Sequence, residues 1–270
     1  MTLDRLKPPG RVKVVNIALG LVCLLCTCFT TARAQNLSFT NFMTQGDAAE
    51  QRKDVANAFK YYTAADHLQS TNCAELCVLT RRYCDLMYDT ESIDLKKTLA
   101  ERALATARRA VQAGPQSATA HLCIAVCYAK NFPFVDHQTK VNWSRSIKTE
   151  GETALKLDPK QDLGYYLLGR WNYDVANMGI IDRTFVKLVY GGLPKASVAE
   201  AITDFKQASA LAPNRIIHHY QLGRAYSDTG EKKFAIAEFT TCSRLKPIDR
   251  DDAEAQRKAA VQLNELQGTK

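Results

Sequence analysis

The sequence has few prolines and glycines, and its composition is neither that of a disordered chain nor that of a protein with many membrane spans. Only 8 of its 270 residues are proline and 13 are glycine, and charged residues make up 24%. These fractions exclude collagen-like and low-complexity chains. The hydrophobic content of 46% is that of a chain with a packed core.

The sequence also lacks the short motifs that bring catalysis to a fold. It contains no G-x-S-x-G, H-E-x-x-H, G-x-x-x-x-G-K-[ST] or dinucleotide-binding pattern. The glycine pair Gly191-Gly192 follows no predicted strand and has no phosphate-binding lysine beside a hydroxyl. Basic residues occur as isolated doublets with acids nearby, not as a track for phosphates. We therefore predict no enzyme, no cofactor and no nucleic-acid partner.

The N-terminal region has the order of a secretory signal peptide. Four basic side chains lie within positions 5–13, residues 14–29 are almost all apolar, and Ala32-Arg33-Ala34 fits a cleavage site. The apolar run is shorter than the ~20 residues of a typical membrane span. We expect cleavage after Ala34 and an exported, periplasmic or secreted chain over 35–270. The alternative is an uncleaved segment that anchors the chain in a membrane.

Six of the nine cysteines follow position 34. Cys73 and Cys77 are four apart, as are Cys123 and Cys127, and this spacing on a helix does not favour a disulfide. A bridge between neighbouring helices, such as Cys77 to Cys123, stays open. His121 precedes the second pair, but no fourth ligand has suitable spacing, so we predict no metal site.

Residue types recur at fixed offsets along the chain, as the distance from Pro213 to Pro247 illustrates. Leu-Gly223 is followed by alanine, phenylalanine, cysteine and Pro247, and a similar series ends one period upstream at Pro213. This pattern is typical of tetratricopeptide repeats, in which small residues let two antiparallel helices approach and proline ends the unit. The residues that carry it are Ala201, Phe205, Ala208, Pro213, Ala235, Phe239, Cys242 and Pro247, with Pro115 and Pro159 upstream.

The repeats predict an all-α fold, a solenoid of about five helical hairpins with a C-terminal capping helix. The second to fourth units are longer than the standard repeat, and we expect mostly helix extensions there. The fourth carries the unusual insertion, with an amphipathic segment over 180–190. The expected units are 39–72, 73–117, 118–161, 162–215 and 216–249, and the cap is 251–266.

The first helices of such hairpins line the concave groove, where three units repeat an arginine and, four residues later, an aspartate. One interpretation is a set of self-neutralised surface pairs. The other is a ladder of arginines that binds a peptide carboxylate or another anion beside exposed tyrosines. The candidate groove residues are Arg81, Arg170, Arg224, Asp85, Asp174, Asp228, Tyr166, Tyr173 and Tyr220. His121 and His219 occupy a place for large residues, which predicts packing.

The stretch from Gly164 through Tyr-Leu-Leu-Gly-Arg-Trp171 to Pro194, with Phe205 and Pro213, resembles the regulator of microtubule dynamics family. The resemblance extends more weakly over roughly 40–265. It implies a tetratricopeptide-like, non-enzymatic adaptor; animal members are linked to microtubules, and one to lipid transfer at organelle contacts. With its signal-like start, the chain is similar to bacterial relatives that are exported.

Three functional hypotheses follow. The first is an adaptor that binds a protein or peptide in the concave groove. The second is a carrier of a lipid or another hydrophobic ligand, suggested by the apolar insertion and by Cys77, Val126 and Ala129. A closed, dry cavity would favour the carrier and an open polar groove the adaptor. The third is a membrane-anchored regulator of microtubule dynamics, which requires that the N-terminal segment is retained.

Overall fold

A computed structural model describes residues 38–268, and the signal-peptide prediction for 1–34 lies outside them. The described residues form helices, turns and loops without any strand, so the predicted all-α class is confirmed. They belong to two compact units, one ending at Ser70 and one beginning at Thr71. Among them, no helix is long and apolar enough to cross a membrane.

The first unit contains α1 (38–51) and α2 (Val55–His67). In the second unit the helices pair as α3 with α4, α5 with α6, α7 with α9, and α10 with α11, while α12 packs on the last pair. Its helices are α3 (Cys73–Leu86), α4 (Ile93–Ala113), α5 (Ala118–Asn131), α6 (His137–Leu157), α7 (Asp162–Ala176), α8 (Ile180–Tyr190), α9 (Val198–Leu211), α10 (Ile216–Asp228), α11 (Lys232–Arg244) and α12 (Arg250–Gly268).

Short polar side chains start the helices, and proline follows the second helix of each hairpin in the second unit. A side-chain oxygen accepts a hydrogen bond from a first-turn N–H in α2 to α6 and in α9, which satisfies an otherwise unpaired donor. Because proline cannot continue a helix, each chain turn is fixed a few residues past the helix end. The capping residues are Asp54, Asn72, Ser92, Ser117, Asp136 and Ser197, and the prolines are Pro115, Pro159, Pro213 and Pro247.

Three hairpins share one close contact between a glycine of the first helix and an aromatic ring of the second. A Cβ added at Gly223 would lie 2.6 Å from the Phe239 ring, and one at Gly169 would lie 2.6 Å from Phe205. In the first unit a Cβ at Gly46 would lie 2.3 Å from the Tyr62 ring. All three rings are completely buried, so only a residue without a side chain fits opposite them.

The first unit shows a regularity that sequence comparison of the units missed. In the last repeat Gly223 and Ala235 have the standard spacing, and in the first repeat Gly46 and the buried Ala58 have the same spacing. The second and third repeats, 73–117 and 118–161, have Thr80 and Ala125 at the place of the glycine, and their second helices are longer. These helices, α4 and α6, each have 21 residues, which confirms that their extra length is helical.

The insertion in the fourth repeat, 162–215, forms a separate helix, α8, rather than an extension of α7 or α9. Arg183 of α8 donates to the carbonyl oxygens of Val175 and Ala176 at the end of α7, at 3.0 and 2.7 Å. At its other end α8 stops at Gly191, whose φ of +77° is a left-handed conformation that glycine adopts without strain. No residue of α8 is buried.

The capping helix α12 is held by a buried carboxylate as well as by apolar packing. Asp252 is fully buried and accepts a hydrogen bond from the Ile217 N–H at 3.0 Å, in the first turn of α10. Arg215 lies 3.6 Å from the same carboxylate and 2.9 Å from Asp249. Since α10 has no capping side chain of its own, Asp252 supplies its cap from another helix.

We expect Gly223→Ala to destabilise the second unit although alanine is the better helix former. The added methyl group must displace the buried Phe239 ring, and such overpacking costs about 1–3 kcal/mol, against a propensity gain of about 1 kcal/mol. A net loss of about 1 kcal/mol in the free energy of unfolding should appear in urea titrations.

The matched control is Gly268→Ala, because a Cβ there meets nothing within 4 Å. Phe239→Leu in the Gly223→Ala background should recover part of the loss by making room for the methyl group. A Gly223→Ala protein as stable as the control would show that the glycine contact does not limit helix approach.

Candidate functional site

Helices α7 and α10 bring five of the nine predicted groove residues together at one surface. Tyr166, Arg170 and Tyr173 come from α7, and Tyr220 and Arg224 from α10. Tyr173 is buried in the core that these helices share, so the expected exposure is wrong for this tyrosine. We call these five residues the tyrosine–arginine cluster. The repeat spacing places them at equivalent positions of α7 and α10, the first helices of two neighbouring hairpins. Both hairpins therefore present these residues on the same side.

Arg224 lies at the centre of the cluster between two aromatic rings. Its guanidinium carbon is 4.6 Å from the centre of the Tyr173 ring and 5.9 Å from that of Tyr220. Its Nη1 donates to Gln221 Oε1 at 2.8 Å. Within residues 38–268 Arg224 makes no ion pair with a carboxylate, so it is a half-buried cation that retains N–H donors for an anionic ligand.

The aspartate expected to neutralise Arg224 has another partner. The Tyr173 hydroxyl of α7 donates to Asp228 of α10, so this hydrogen bond joins neighbouring hairpins. Burial, followed by this bond, raises the pKa of Tyr173 to about 12, so its hydroxyl stays protonated at neutral pH. The predicted pair of Arg224 with Asp228 is therefore replaced by a contact between hairpins that the single-helix spacing could not show.

The other two predicted arginines differ from Arg224 and from each other. Arg170 donates to Asp174 at 3.2 Å, the ion pair four residues apart that the spacing predicts. On α3, however, Asp85 pairs with Arg82 at 3.6 Å and not with Arg81. Arg81 is exposed to solvent, so the expected arginine ladder is not a uniform series of equivalent pairs.

A contact between the two ends of the second unit lies beside the cluster and was not predicted. The Tyr88 hydroxyl, after α3, donates to Asp251 Oδ1 of α12 at 3.1 Å, and Lys130 donates to that hydroxyl. Arg250 pairs with Asp89 at 2.5 Å. Burial is the main cause of the raised pKa of Tyr166 in the cluster, and the carboxylate of Asp251 adds to it.

Part of this contact carried a sequence signal that was overlooked. Lys130 occupies the place in α5 that Asp85, Asp174 and Asp228 hold in other units, so alignment could have added it to the groove residues. Tyr88 follows the end of α3 and lies outside the periodic part of the unit. No spacing rule reaches such a position, and only the folded chain brings it to α12.

Trp171, beside Arg170 in sequence, does not face the groove. It is buried, and its Nε1 donates to the Ser144 carbonyl of α6 at 2.7 Å. Lys148 lies 4.7 Å from its ring centre. Trp171 therefore belongs to the packing between hairpins, and the inserted helix does not cover it.

Two depressions open to solvent occur on the described part of the second unit, where the carrier hypothesis expects a closed cavity. One, of about 570 Å³, lies between α3 and the turn after α4 and includes Cys77. The other, of about 580 Å³, includes Ala129 and Phe134. Neither is enclosed, so neither supplies the dry chamber that would favour a lipid carrier.

Two histidines predicted as packing residues instead make the same polar bridge in two units. His121 Nδ1 lies 2.5 Å from Glu150 Oε2, and Nε2 lies 3.0 Å from the Pro115 carbonyl oxygen. His219 contacts Glu238 at 2.7 Å and the Pro213 carbonyl at 2.9 Å. Because both ring nitrogens face acceptors, the protonated imidazolium satisfies both contacts.

The protonation of these histidines follows from that arrangement. Burial alone would lower their pKa values, but hydrogen bonds to the carboxylates and carbonyls outweigh it and raise the pKa of both His121 and His219 above the ordinary value. With His121 bound in this way, it is not free to ligate a metal beside Cys123 and Cys127. Among the described residues, no group of three potential ligands could hold a metal ion.

The six described cysteines are free thiols. Cys77 and Cys123 lie on facing helices, with Cys123 Sγ 3.9 Å from the Cys77 carbonyl oxygen. The Cys123 contact and then burial raise the pKa of Cys77, and a contact with Cys84 raises that of Cys127. These thiols are therefore poor nucleophiles at neutral pH.

The sequence of residues 42–267 matches the family described as regulator of microtubule dynamics protein 1-3. The chain belongs to this family. Its inserted helix α8 and the tyrosine–arginine cluster both lie within the matched residues. The tetratricopeptide-like hairpins described above are therefore the fold of a regulator of microtubule dynamics family member.

Animal members of the family are similar over part of their length. Regulator of microtubule dynamics protein 2 of Homo sapiens is 28% identical over 178 residues, which are 66% of this chain and 43% of that protein. Protein 1 of Mus musculus is 28% identical over 172 residues, 63% of this chain and 56% of that protein. The chain thus spans about half the length of these relatives.

Two solved structures show the same helical architecture. A thermophilic repeat protein of Thermus thermophilus superposes with a TM-score of 0.56 at 16% identity, over 83% of this chain and 99% of that one. PilF of Pseudomonas aeruginosa superposes with a TM-score of 0.53 at 11% identity, over 88% of this chain and 95% of that one. At these identities the likeness shows the fold alone.

We expect the free energy of unfolding to fall as the pH rises above about 6.5, the ordinary histidine pKa. The folded protein holds protons on His121 and His219 that the unfolded chain releases, so their stabilisation is present at lower pH and lost through the raised folded-state pKa. Glu238→Gln should cost about 1.5 kcal/mol at about pH 6, and much less at high pH.

The matched control is Glu152→Gln, which alters a surface carboxylate that pairs with Lys148 at 3.3 Å rather than with a histidine. Urea unfolding across the pH range measures both variants against the unaltered chain. If Glu238→Gln shifts stability equally at low and high pH, His219 is not held as an imidazolium.

Proposed function

We propose that the second unit is a non-enzymatic binding module that captures a protein segment through a carboxylate at the tyrosine–arginine cluster. The observation that carries this proposal is Arg224, a half-buried cation between two tyrosine rings without a carboxylate partner among the described residues. A guanidinium in such a position offers two parallel N–H donors to a carboxylate. Tyrosine and arginine are also the side chains that dominate protein interfaces.

Family and fold support the same class of function. Repeat arrays use their first helices as an extended binding surface, and the cluster lies on two such helices. Arg170 and Tyr166 extend the surface beside Arg224, while Asp174 and Asp228 at its margin disfavour additional acidic groups. The expected ligand is therefore a segment with one carboxylate, at its C terminus or in a side chain, flanked by apolar or aromatic residues.

We expect Arg224→Gln to weaken peptide binding without changing the fold. The probe is an array of short synthetic peptides, each made with a free C-terminal carboxylate and as the amide, incubated with the full chain. Removing a central interface arginine should cost about 2 kcal/mol or more, roughly a 30-fold loss of affinity. Binding of the carboxylate forms should also decrease as salt is raised.

Arg257→Gln is the matched control, since Arg257 is an exposed arginine on α12, paired with Glu254 within its own helix. It should leave peptide affinity unchanged, and both variants should melt like the unaltered chain. Peptides that bind equally well to Arg224→Gln, or no peptide binding at all, would exclude the cluster as a carboxylate site.

We further propose that residues 1–34 act as a cleaved signal peptide and that the repeats function outside the cytoplasm. The support is the order of basic, apolar and small residues before Gln35. An uncleaved segment would instead make the chain a membrane-anchored member, the form required by the microtubule hypothesis. The two forms differ in whether the mature protein retains the segment that ends at Ala34.

We expect mature protein isolated from its native source to begin near Gln35. N-terminal sequencing and intact-mass measurement distinguish the two forms directly. A mature chain that begins at Met1 and fractionates with membranes would reject export and support the anchored alternative.

A further inference from the structure

Helix α8 presents an apolar face to solvent. At 100° per residue, five exposed apolar side chains lie on one half of the helix circumference. Val186 and Tyr190 lie on the other half and are partly buried. None of these apolar side chains contributes to a described core. The exposed fractions are 85% for Ile180, 86% for Ile181, 50% for Phe185, 80% for Leu188 and 54% for Val189.

Both ends of α8 are fixed to the hairpins, so this face is held outward. Arg183 binds the carbonyl oxygens at the end of α7. Arg145 of α6 donates to the Gly192 carbonyl oxygen at 3.1 Å and also to that of Tyr190. The helix is therefore attached through its polar edge and its termini. Its apolar half stays exposed and can contact a lipid layer or another protein.

The polar edge of α8 is basic. Arg183 and Lys187 lie together on the helix, and Lys195 follows in the connection to α9, against the single carboxylate of Asp182. Lysine and arginine beside an apolar face can extend toward phosphate groups while their aliphatic stems stay in a hydrophobic layer. The charge of this edge thus complements anionic lipid headgroups.

The size of the face argues against a stable pair of chains. The face consists of five exposed apolar side chains on a helix of 11 residues. Stable protein interfaces bury about 800 Å² on each partner, and this area is supplied by about 20–30 residues. An interfacial helix in a membrane needs no such area, because its apolar side chains enter the lipid layer individually.

We propose that α8 is a membrane-surface helix that inserts its apolar face into the outer layer of a bilayer containing anionic lipids. Ile181, Phe185 and Leu188 enter the acyl-chain boundary while Lys187 and Lys195 remain at headgroup level. Binding by one short helix is reversible. The face shares no residue with the tyrosine–arginine cluster, so this inference does not depend on the proposed peptide binding.

The deciding experiment places a fluorescent reporter on the face itself. Phe185→Trp in the full chain is mixed with vesicles of phosphatidylcholine and phosphatidylserine whose acyl chains are brominated, and the signal of Trp143 and Trp171 in the unaltered chain is subtracted. We expect quenching of the introduced tryptophan with these vesicles and markedly less with phosphatidylcholine vesicles. Absence of quenching, whether or not the chain sediments with vesicles, would overturn the proposal.

A paired variant tests the contribution of the face to binding. Ile181→Asn with Leu188→Asn should reduce partition of the chain into the anionic vesicles at least tenfold. The matched control is Ile93→Asn with Ile248→Asn, which removes two exposed isoleucines, 72% and 65% accessible, elsewhere on the second unit. Because all variants retain residues 1–37, a difference between the pairs belongs to α8.

Sedimentation velocity without lipid tests whether a second copy of the chain binds the apolar face instead. We expect the unaltered chain and both paired variants to sediment alike. A dimer that only Ile181→Asn with Leu188→Asn abolishes, together with an unquenched reporter, would assign the face to a second copy of the chain and reject the membrane.

Discussion

A glycine in the first helix of a hairpin lets an aromatic ring of the second helix lie directly against its backbone. Gly46 with Tyr62, Gly169 with Phe205 and Gly223 with Phe239 repeat this contact in three hairpins. It brings each pair of helices together and sets where their other side chains point. The surface made by the first helices, including the tyrosine–arginine cluster, depends on this spacing because each cluster residue has a fixed offset from a glycine.

Contacts between hairpins then give the surface its chemical character. The Tyr173 hydroxyl takes Asp228 as its acceptor, and Arg224 is left with aromatic neighbours and an amide. Three predicted arginine–aspartate pairs that look alike in sequence thus become three different arrangements. A similar exchange happens at His121 and His219, where a carboxylate from the second helix and a backbone carbonyl oxygen convert an expected packing residue into a charged bridge.

Much of the fold could be predicted because its determinants are local. Proline positions, capping residues and the repeat period act within one hairpin, so the helix pairs and the cap could be derived from spacing. The candidate site could be predicted only in part. Tyr166, Arg170, Tyr173, Tyr220 and Arg224 follow the period, whereas Tyr88 and Arg250 lie outside it and meet through the path of the whole second unit.

By itself the sequence determined which residues are helical, where hairpins end and which residues share the face of the first helices, since each depends on neighbours a few residues away or one repeat away. The tertiary structure alone decided which aspartate pairs with which arginine, that the ends of the second unit meet at Asp89 and Arg250, and that α8 is held with its apolar half outward. Those outcomes depend on distances between hairpins, which accumulate from every helix crossing and which no local pattern encodes.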